Sequence, residues 1–167
     1  MDWNVKFNPN KCEQLIISNK RDSNFPNIHF EGSILPVVSH VKLLGVSIDN
    51  GLTWSDHIVT QSKKAAAMLG CLARAKHLIP SCHMVTIYKA KIRPLLEYCS
   101  SVWWSACDTH LNLLDKVERR AARIIGPDFK VPYELSTRRA VGGLAFVHKL
   151  VKGHGSSELK LLLPPFA

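Results

Sequence analysis

Residues 53–81 read TWSDHIVTQSKKAAAMLGCLARAKHLIPS, and within them the hydrophobic pattern of this 167-residue chain changes from a strand period to a helical one. Thr53, followed three residues later by Asp56, resembles a capping box at a helix N-terminus. Apolar or small residues then recur every three or four positions. The pattern predicts a long helix from about Ser55 to Leu78, with Pro80-Ser81 ending it and starting the next.

Short apolar runs separated by turn-forming residues precede this helix and are typical of strands. The predicted strands are Val5–Phe7, Gln14–Ser18, Asn27–Phe30, Ser33–Leu35 and Val41–Ile48. The third and fourth flank Glu31-Gly32, a two-residue loop that suits a tight hairpin because glycine accepts a positive φ. These strands predict a small, mostly antiparallel sheet.

Three more helices are expected after the first. The second begins near Val85 and is kinked or broken at Pro94, which lacks a backbone donor. The third is capped by Thr109 and stops at Gly126-Pro127, and the fourth runs over residues 137–151. Strands followed by helices indicate an α+β chain. We divide it into a sheet segment (1–54), a helical segment (55–126) and a helical extension (127–167).

The composition favours a folded intracellular protein. Hydrophobic residues make up 46% of the chain, but the longest apolar run, residues 65–73, is about half the length of a membrane span. The amino terminus lacks the apolar core of a secretory signal, so a cytoplasmic or nuclear location is expected. Five cysteines without a CxxC pair predict buried thiols and no metal site.

Charge is distributed unevenly along the chain. The formal net charge is +9, and residues 1–54 contribute none of it. The surplus favours a polyanionic partner that binds to the helical segments. Candidate phosphate-binding residues are Lys63, Lys64, Lys89, Lys91, Arg93, Lys116, Arg119, Arg120 and Arg123. Lys116, Arg119 and Arg123 should form one row on the third helix, although a merely solvated polar face remains an alternative.

Chemistry of its own is not expected from this chain. Two-metal catalysis needs convergent carboxylates, and only Asp115 and Glu118 lie within four residues of each other. In a basic helix they are expected to be solvated ion-pair partners. Trp103 and Trp104 would suit a base-stacking platform, but paired tryptophans after an apolar helix are more often core residues. A cleft with three convergent carboxylates, or burial of Arg119 and Arg123, would contradict this interpretation.

Five sequence blocks in order resemble the reverse transcriptases of non-LTR (LINE-type, jockey-like) retrotransposons. They are DWNVKFNPNKCEQLIIS, HFEGSILPVVSHVKLLGVSIDNGLTWSDHI, AKIRPLLEYCSSVWW, LLDKVERRAARIIG and RRAVGGLAFVHKLVKG. The resemblance covers nearly the whole chain and implies the end of the polymerase palm, the thumb and the region after it. It implies a thumb that holds a template–primer duplex, RNA/DNA or RNA, by its backbone.

The resemblance also implies roles for individual residues. Lys11 matches the lysine thought to protonate the pyrophosphate leaving group, although Cys12 replaces the usual threonine. Leu44, Gly45 and Val46 match the primer grip, where glycine allows close approach of the primer.

The metal-binding aspartates of the family lie upstream of the matched blocks, and Asp2 is followed by Trp3 rather than a second aspartate. The resemblance therefore implies no cofactor in this chain, with Mg²⁺ belonging to the complete polymerase. Further partners could be the upstream palm and fingers. The alternative is a non-catalytic structural or protein-interaction module, or a relic without function, derived from the same element.

Overall fold

Residues 7–18 and 25–161 are described by the computed structural model of the chain. The chain divides into two units, residues 1–57 and residues 58–167. Strands occupy the first unit and helices the second, which confirms the predicted α+β class. Across these described ranges, no helix is long and apolar enough to cross a membrane.

Six short strands pair two by two among the described residues of the first unit. They are β1 (Gln14–Leu15), β2 (His29–Phe30), β3 (Ser33–Ile34), β4 (Val37–Val38), β5 (His40–Leu43) and β6 (Val46–Asp49). β2 pairs with β3 and β5 with β6 in antiparallel register, whereas β1 and β4 are parallel. The expected single sheet is therefore three separate pairs. The predicted strand Val5–Phe7 begins outside the described residues, and Phe7 itself is not in a strand.

Two turns fix the hairpins of this unit. The predicted turn at Glu31-Gly32 is confirmed, with φ of 46° and 78°. The prediction of one strand over residues 41–48 is wrong, because Leu44 and Gly45 have φ of 48° and 86° and reverse the chain between β5 and β6. Two successive residues with positive φ give the turn that matches the twist of paired strands.

Asp49, the last residue of β6, organises the start of the first helix. Its carboxylate accepts hydrogen bonds from the backbone amides of Gly51, Thr53 and Trp54 at 3.1, 2.9 and 2.9 Å. A capping box would direct the Thr53 amide to Asp56, so Asp49 replaces the expected partner. Burial raises the pKa of Asp49, but these hydrogen bonds outweigh it and lower the pKa below its ordinary value.

Helices build the second unit and begin at its border with the first. They are α1 (Ser55–Arg74), α2 (Ser81–Ile87), a π-helical turn (Tyr88–Ile92), α3 (Arg93–Glu97), α4 (Ser100–Trp103), α5 (Asp108–Ile125), α6 (Leu135–Val151) and α7 (Ser157–Leu161). The expected interruption at Pro94 is present: a π-helical turn precedes α3, and Pro94 lies in the first turn of α3, where an N–H needs no helical partner.

Three helix ends differ from the predicted ones. α1 ends at Arg74, because the following turn tightens to hydrogen bonds three residues apart. α5 begins earlier than predicted, with Cys107 rather than Thr109 as its N-cap residue. α6 begins at Leu135, two residues before the predicted start. The earlier start of α6 is accompanied by a hydrogen bond from the Leu135 amide to Glu118 of α5.

The core of the second unit is apolar and contains one of the paired tryptophans. Its buried residues include Ile58, Leu69, Met84, Tyr88, Ile92, Leu96, Trp103, Leu114, Val117 and Leu135. Trp103 is 1% exposed and donates to the carbonyl of Tyr98 at 2.9 Å, which confirms the core interpretation for this residue. The expectation of buried thiols is wrong, since Cys71, Cys82 and Cys107 are exposed.

Candidate nucleic-acid interface

Helix α5 separates an apolar side from a cationic side. Leu114, Val117, Ala121 and Ile125 are buried, which places this stripe in the core. Side chains at spacings of three and four on the opposite side are all exposed: Lys116, Arg119, Arg120 and Arg123. The row predicted from the sequence therefore reaches solvent. A row from Lys116 to Arg123 extends about 10 Å along the helix at 1.5 Å per residue.

These cations line two neighbouring depressions. One is lined by Lys116, Arg119, Arg120, Arg123 and Ala122. The other lies between α1 and α5 and is lined by Ser62, Lys63, Ala66, Leu113, Lys116, Val117 and Arg120. Because Lys116 and Arg120 line both, the depressions form one surface. We call its five basic residues, with Lys63 included, the cationic track.

Within the two depressions, no described acidic side chain offsets the charge of the track. None of the described residues that line the two depressions is acidic. Within the described residues, ion pairs shorter than 4.0 Å involve Arg93, Arg138 and Arg139 but none of the track. Lys116 with Arg120, and Arg119 with Arg123, are like-charged i,i+4 pairs that destabilise a helix by about 0.2–0.5 kcal/mol each. A bound polyanion would remove that repulsion.

The track can bind phosphate but offers nothing on which a base could stack. No aromatic side chain is among the described residues that line either depression. Lysine and arginine contacts to phosphate position a nucleic acid without reading its sequence. The chemistry of the track is therefore that of backbone recognition.

The other predicted cations lie elsewhere in the second unit. Lys64 and Lys91 are exposed, and Lys89 and Arg93 are half-buried, but none of the four lines the track. Arg93 lies 3.9 Å from Glu97, which also pairs with Arg138. The structure thus brings together five of the nine predicted phosphate-binding residues.

Two carboxylates on α5 do not behave as the sequence predicted. Glu118 is 8% exposed; it accepts the backbone amide of Leu135 at 2.8 Å and the hydroxyl of Tyr88 at 3.3 Å. Asp115 pairs at 2.8 Å with Arg139, which is 3% exposed. The expectation of solvated ion-pair partners is therefore wrong for Glu118, which is buried and makes no ion pair shorter than 4.0 Å within the described residues, whereas Asp115 is an ion-pair partner with a side chain 24% exposed.

The environment of Glu118 also affects its ionisation. Burial raises the pKa of Glu118 above its ordinary value, although the bonds from Leu135 and Tyr88 act in the opposite direction. Burial and the charge of Glu118 raise the pKa of the Tyr88 hydroxyl. Sequence reasoning missed this cluster because the i,i+3 spacing of Asp115 and Glu118 shows only that they share a helix side.

Lys11 and the residues that match a primer grip all lie in the first unit. Lys11 is exposed at the end of a 3₁₀ turn, Pro9–Lys11, and Cys12 donates through Sγ to the carbonyl of Asn8 at 3.4 Å. Leu44, 83% exposed, and Gly45 form the β5–β6 turn, so they lie at a hairpin tip rather than within a strand. Val46 is buried at the start of β6.

Acidic residues of the described ranges do not form a metal site. Asp115, Glu118 and Glu134 line one cleft, but no three His, Cys, Asp or Glu side chains of the described residues are grouped so that they could hold a metal ion. Arg119 and Arg123 are exposed on a concave surface. Three carboxylates thus line one cleft, contrary to expectation, but among the described residues they are not grouped for metal binding, and Arg119 and Arg123 are not buried.

Comparison with known proteins identifies relatives along most of the chain. It is 30% identical over 141 residues, 82% of its length, to the RNA-directed DNA polymerase from mobile element jockey of Drosophila melanogaster. Identity is also 30% over 140 residues to the jockey polymerase of Drosophila funebris, and 28% over 126 residues to the probable RNA-directed DNA polymerase from transposon X-element of D. melanogaster.

The similarity is confined to a small part of each relative. The matched segment is 15%, 15% and 14% of the length of these three polymerases, and 82%, 81% and 74% of this chain. No family model and no solved structure matches the chain. The resemblance seen in the five sequence blocks is confirmed: the homologues of this chain are the jockey and X-element RNA-directed DNA polymerases of non-LTR retrotransposons, and the chain matches one segment of them.

Proposed function

We propose that this chain binds the template–primer duplex, RNA/DNA or RNA, of a non-LTR reverse transcriptase through the phosphate backbone. The cationic track supplies the contacts, and polymerisation depends on metal-binding aspartates outside the matched segment. The proposal depends on one observation: five exposed basic side chains from α1 and α5 line one surface, and no described acidic residue lines it. The activity for which the relatives are named, RNA-directed DNA polymerase, supports a nucleic-acid partner.

Two further roles stay proposals that depend on the family resemblance. Lys11 would donate a proton to the pyrophosphate leaving group of the complete polymerase. The hairpin tip at Leu44-Gly45 would approach the primer terminus, because a turn without a bulky second side chain allows close contact. Both belong to the first unit, whereas the cationic track belongs to the second.

The salt dependence of binding tests the proposed function directly. Five phosphate contacts give an expected slope of log K against log salt of about −4.5, since each contact contributes about −0.9. Fluorescence anisotropy with a labelled RNA/DNA hybrid, from about 50 to 300 mM KCl, measures this slope. Substituting both Arg119 and Arg123 by alanine should reduce its magnitude by about 2 and weaken binding to unrelated sequences equally.

Lys64 and Lys91 provide the matched control. Both are exposed and neither lines the track, so their double alanine variant removes the same net charge from other surfaces of the unit. Its slope should stay close to that of the unmodified chain. Equal losses in the two double variants would mean that only net charge matters, and a hybrid affinity independent of salt would refute the proposal.

A protein-interaction module is the second candidate, and the surface of the first unit favours it. Large apolar side chains are exposed there at 49–83%: Phe7, Ile17, Ile28, Ile34, Val37, Leu43 and Leu44. Isolated two-stranded pairs are marginal in water, so such a surface favours association. Light scattering, together with the hybrid-binding assay, distinguishes the two candidate functions. An obligate assembly that does not bind nucleic acid supports the protein-interaction module, and a monomer that binds the hybrid supports duplex binding.

A further inference from the structure

A cleft of about 450 Å³ lies between α5 and the segment that leads into α6. Asn112, Asp115, Glu118, Arg119 and Ala122 line it from α5, and Phe129, Val131, Glu134 and Ser136 line it from the other side. Its volume is in the range of small-ligand sites, about 300–1,000 Å³. Arg119 also lines the cationic track, so one side chain borders both concavities.

The apolar part of the cleft suits a flat ring. Ala122, Phe129 and Val131 provide it, and the Phe129 ring is held edge-to-face against Tyr88, with ring centroids 4.9 Å apart at 69°. Tyr88 is itself fully buried and bonded to Glu118. The aromatic wall of the cleft is therefore fixed in place before any ligand arrives.

The polar part of the cleft favours a ligand with N–H donors. Of its three carboxylates, Asp115 and Glu118 already face Arg139, Leu135 and Tyr88, so Glu134, with Asn112 and Ser136, supplies the polar groups for a ligand. Carboxylates accept hydrogen bonds from exocyclic amino groups of bases, and asparagine pairs with adenine through one donor and one acceptor. Exocyclic amino groups are present on adenine, cytosine and guanine and absent from uracil.

A simple cation or anion fits this surrounding poorly. A free cation would lie beside Arg119, which lines the cleft, and a free anion would meet its three carboxylates. A nucleotide can bind to both the acidic side chains and Arg119, because it joins an amino-bearing base and a negative phosphate in one molecule. We propose that the cleft takes one unpaired nucleotide, with the base between Phe129 and Glu134 and the phosphate at Arg119. The inference rests on the proposed function, since the track would deliver the strand.

Binding of mononucleotides to the full chain tests the inference independently of duplex binding. Isothermal calorimetry or amide-shift titration with AMP, CMP, UMP and inorganic phosphate should show AMP and CMP binding about 5-fold or more tighter than UMP. Phosphate alone should bind more weakly than any of them. In a hybrid duplex, one bulged adenosine should raise affinity about 5-fold over a flush duplex if the nucleotide comes from a bound strand. Equal duplex affinities combined with AMP binding would assign the cleft to free nucleotides.

A cleft-filling variant gives the matched control. Ser136→Trp should abolish AMP binding and leave the affinity for a flush duplex unchanged, whereas Thr137→Trp, at the adjacent exposed position outside the cleft, should change neither. Asn112→Ala, also exposed, provides a second test that does not depend on how the tryptophan packs.

The outcomes separate the two proposals. Flush-duplex binding without nucleotide binding, or AMP binding that survives Ser136→Trp and Asn112→Ala, would overturn the nucleotide site and leave the cationic track intact. Equal affinity for AMP and phosphate would overturn the site as well. Loss of duplex binding with a normal AMP titration would instead overturn the proposed function.

Discussion

Removing the Glu118 carboxylate tests how the helices of the second unit are held together. Glu118→Ala leaves the Leu135 amide without its partner at the start of α6, which costs about 1 kcal/mol as the loss of an N-cap. It also leaves the buried Tyr88 hydroxyl unpaired, which costs about 1–3 kcal/mol. We expect the free energy of unfolding to fall by about 2–4 kcal/mol.

Glu118→Gln separates the hydrogen bonds from the charge. The amide keeps the shape and one acceptor oxygen, so we expect a loss of about 1 kcal/mol or less near neutral pH. The pKa of Glu118 is raised above its ordinary value of 4.5, so the native state binds more protons than the unfolded state just above that pH. The contribution of Glu118 to stability therefore declines as pH rises through the raised pKa. Relative to Glu118→Gln, the unmodified chain should be less stable at about pH 7.5 than at about pH 5.

Urea unfolding followed by circular dichroism and by tryptophan fluorescence measures both effects. Each variant is compared with the unmodified chain at the two pH values, so that other titrating groups cancel in the difference. If Glu118→Ala unfolds at the same urea concentration as the unmodified chain, the carboxylate does not connect the helices. A pH-independent difference between the unmodified chain and Glu118→Gln would refute the raised pKa.

Two other predictions concern a glycine pair and a thiol. A Cβ at Gly143 would lie 2.6 Å from the Trp104 ring, so Gly143→Ala should lower the free energy of unfolding by about 1–3 kcal/mol. A Cβ at Gly142 would meet no such close contact, so Gly142→Ala should raise the free energy of unfolding by about 0.5–1 kcal/mol. Thermal unfolding measures both variants, and equal shifts would refute the close packing of Gly143 against Trp104. Hydrogen bonds from the Thr109 amide and hydroxyl lower the pKa of Cys107, so mass spectrometry should find it alkylated at lower pH than the other exposed thiols. Simultaneous modification would contradict this.

Features that depend on local periodicity could be predicted from the sequence. The exposed row on α5 and the hairpin at Glu31-Gly32 follow from spacings of three to four and from a two-residue turn, and both are present. The turn at Leu44-Gly45 was missed because an apolar run surrounds it and Gly45 is its sole turn-forming residue. The start of α6 was missed because its N-terminal partner, Glu118, lies 17 residues earlier in the chain.

Glu118 and Asp115 also explain why the cations of α5 can face a ligand. Asp115 precedes Arg119 by one helical turn, a spacing at which the two would pair on an isolated helix. Instead, Arg139 of α6 forms an ion pair with the Asp115 carboxylate at 2.8 Å. The backbone amide of Leu135 donates a hydrogen bond to Glu118, also at 2.8 Å. Asp115 and Glu118 are thus engaged toward α6, and Arg119 remains exposed beside Arg123. Packing of α6 against α5 therefore favours an exposed cationic track, because Arg139 of α6 pairs with the carboxylate that could otherwise pair with Arg119.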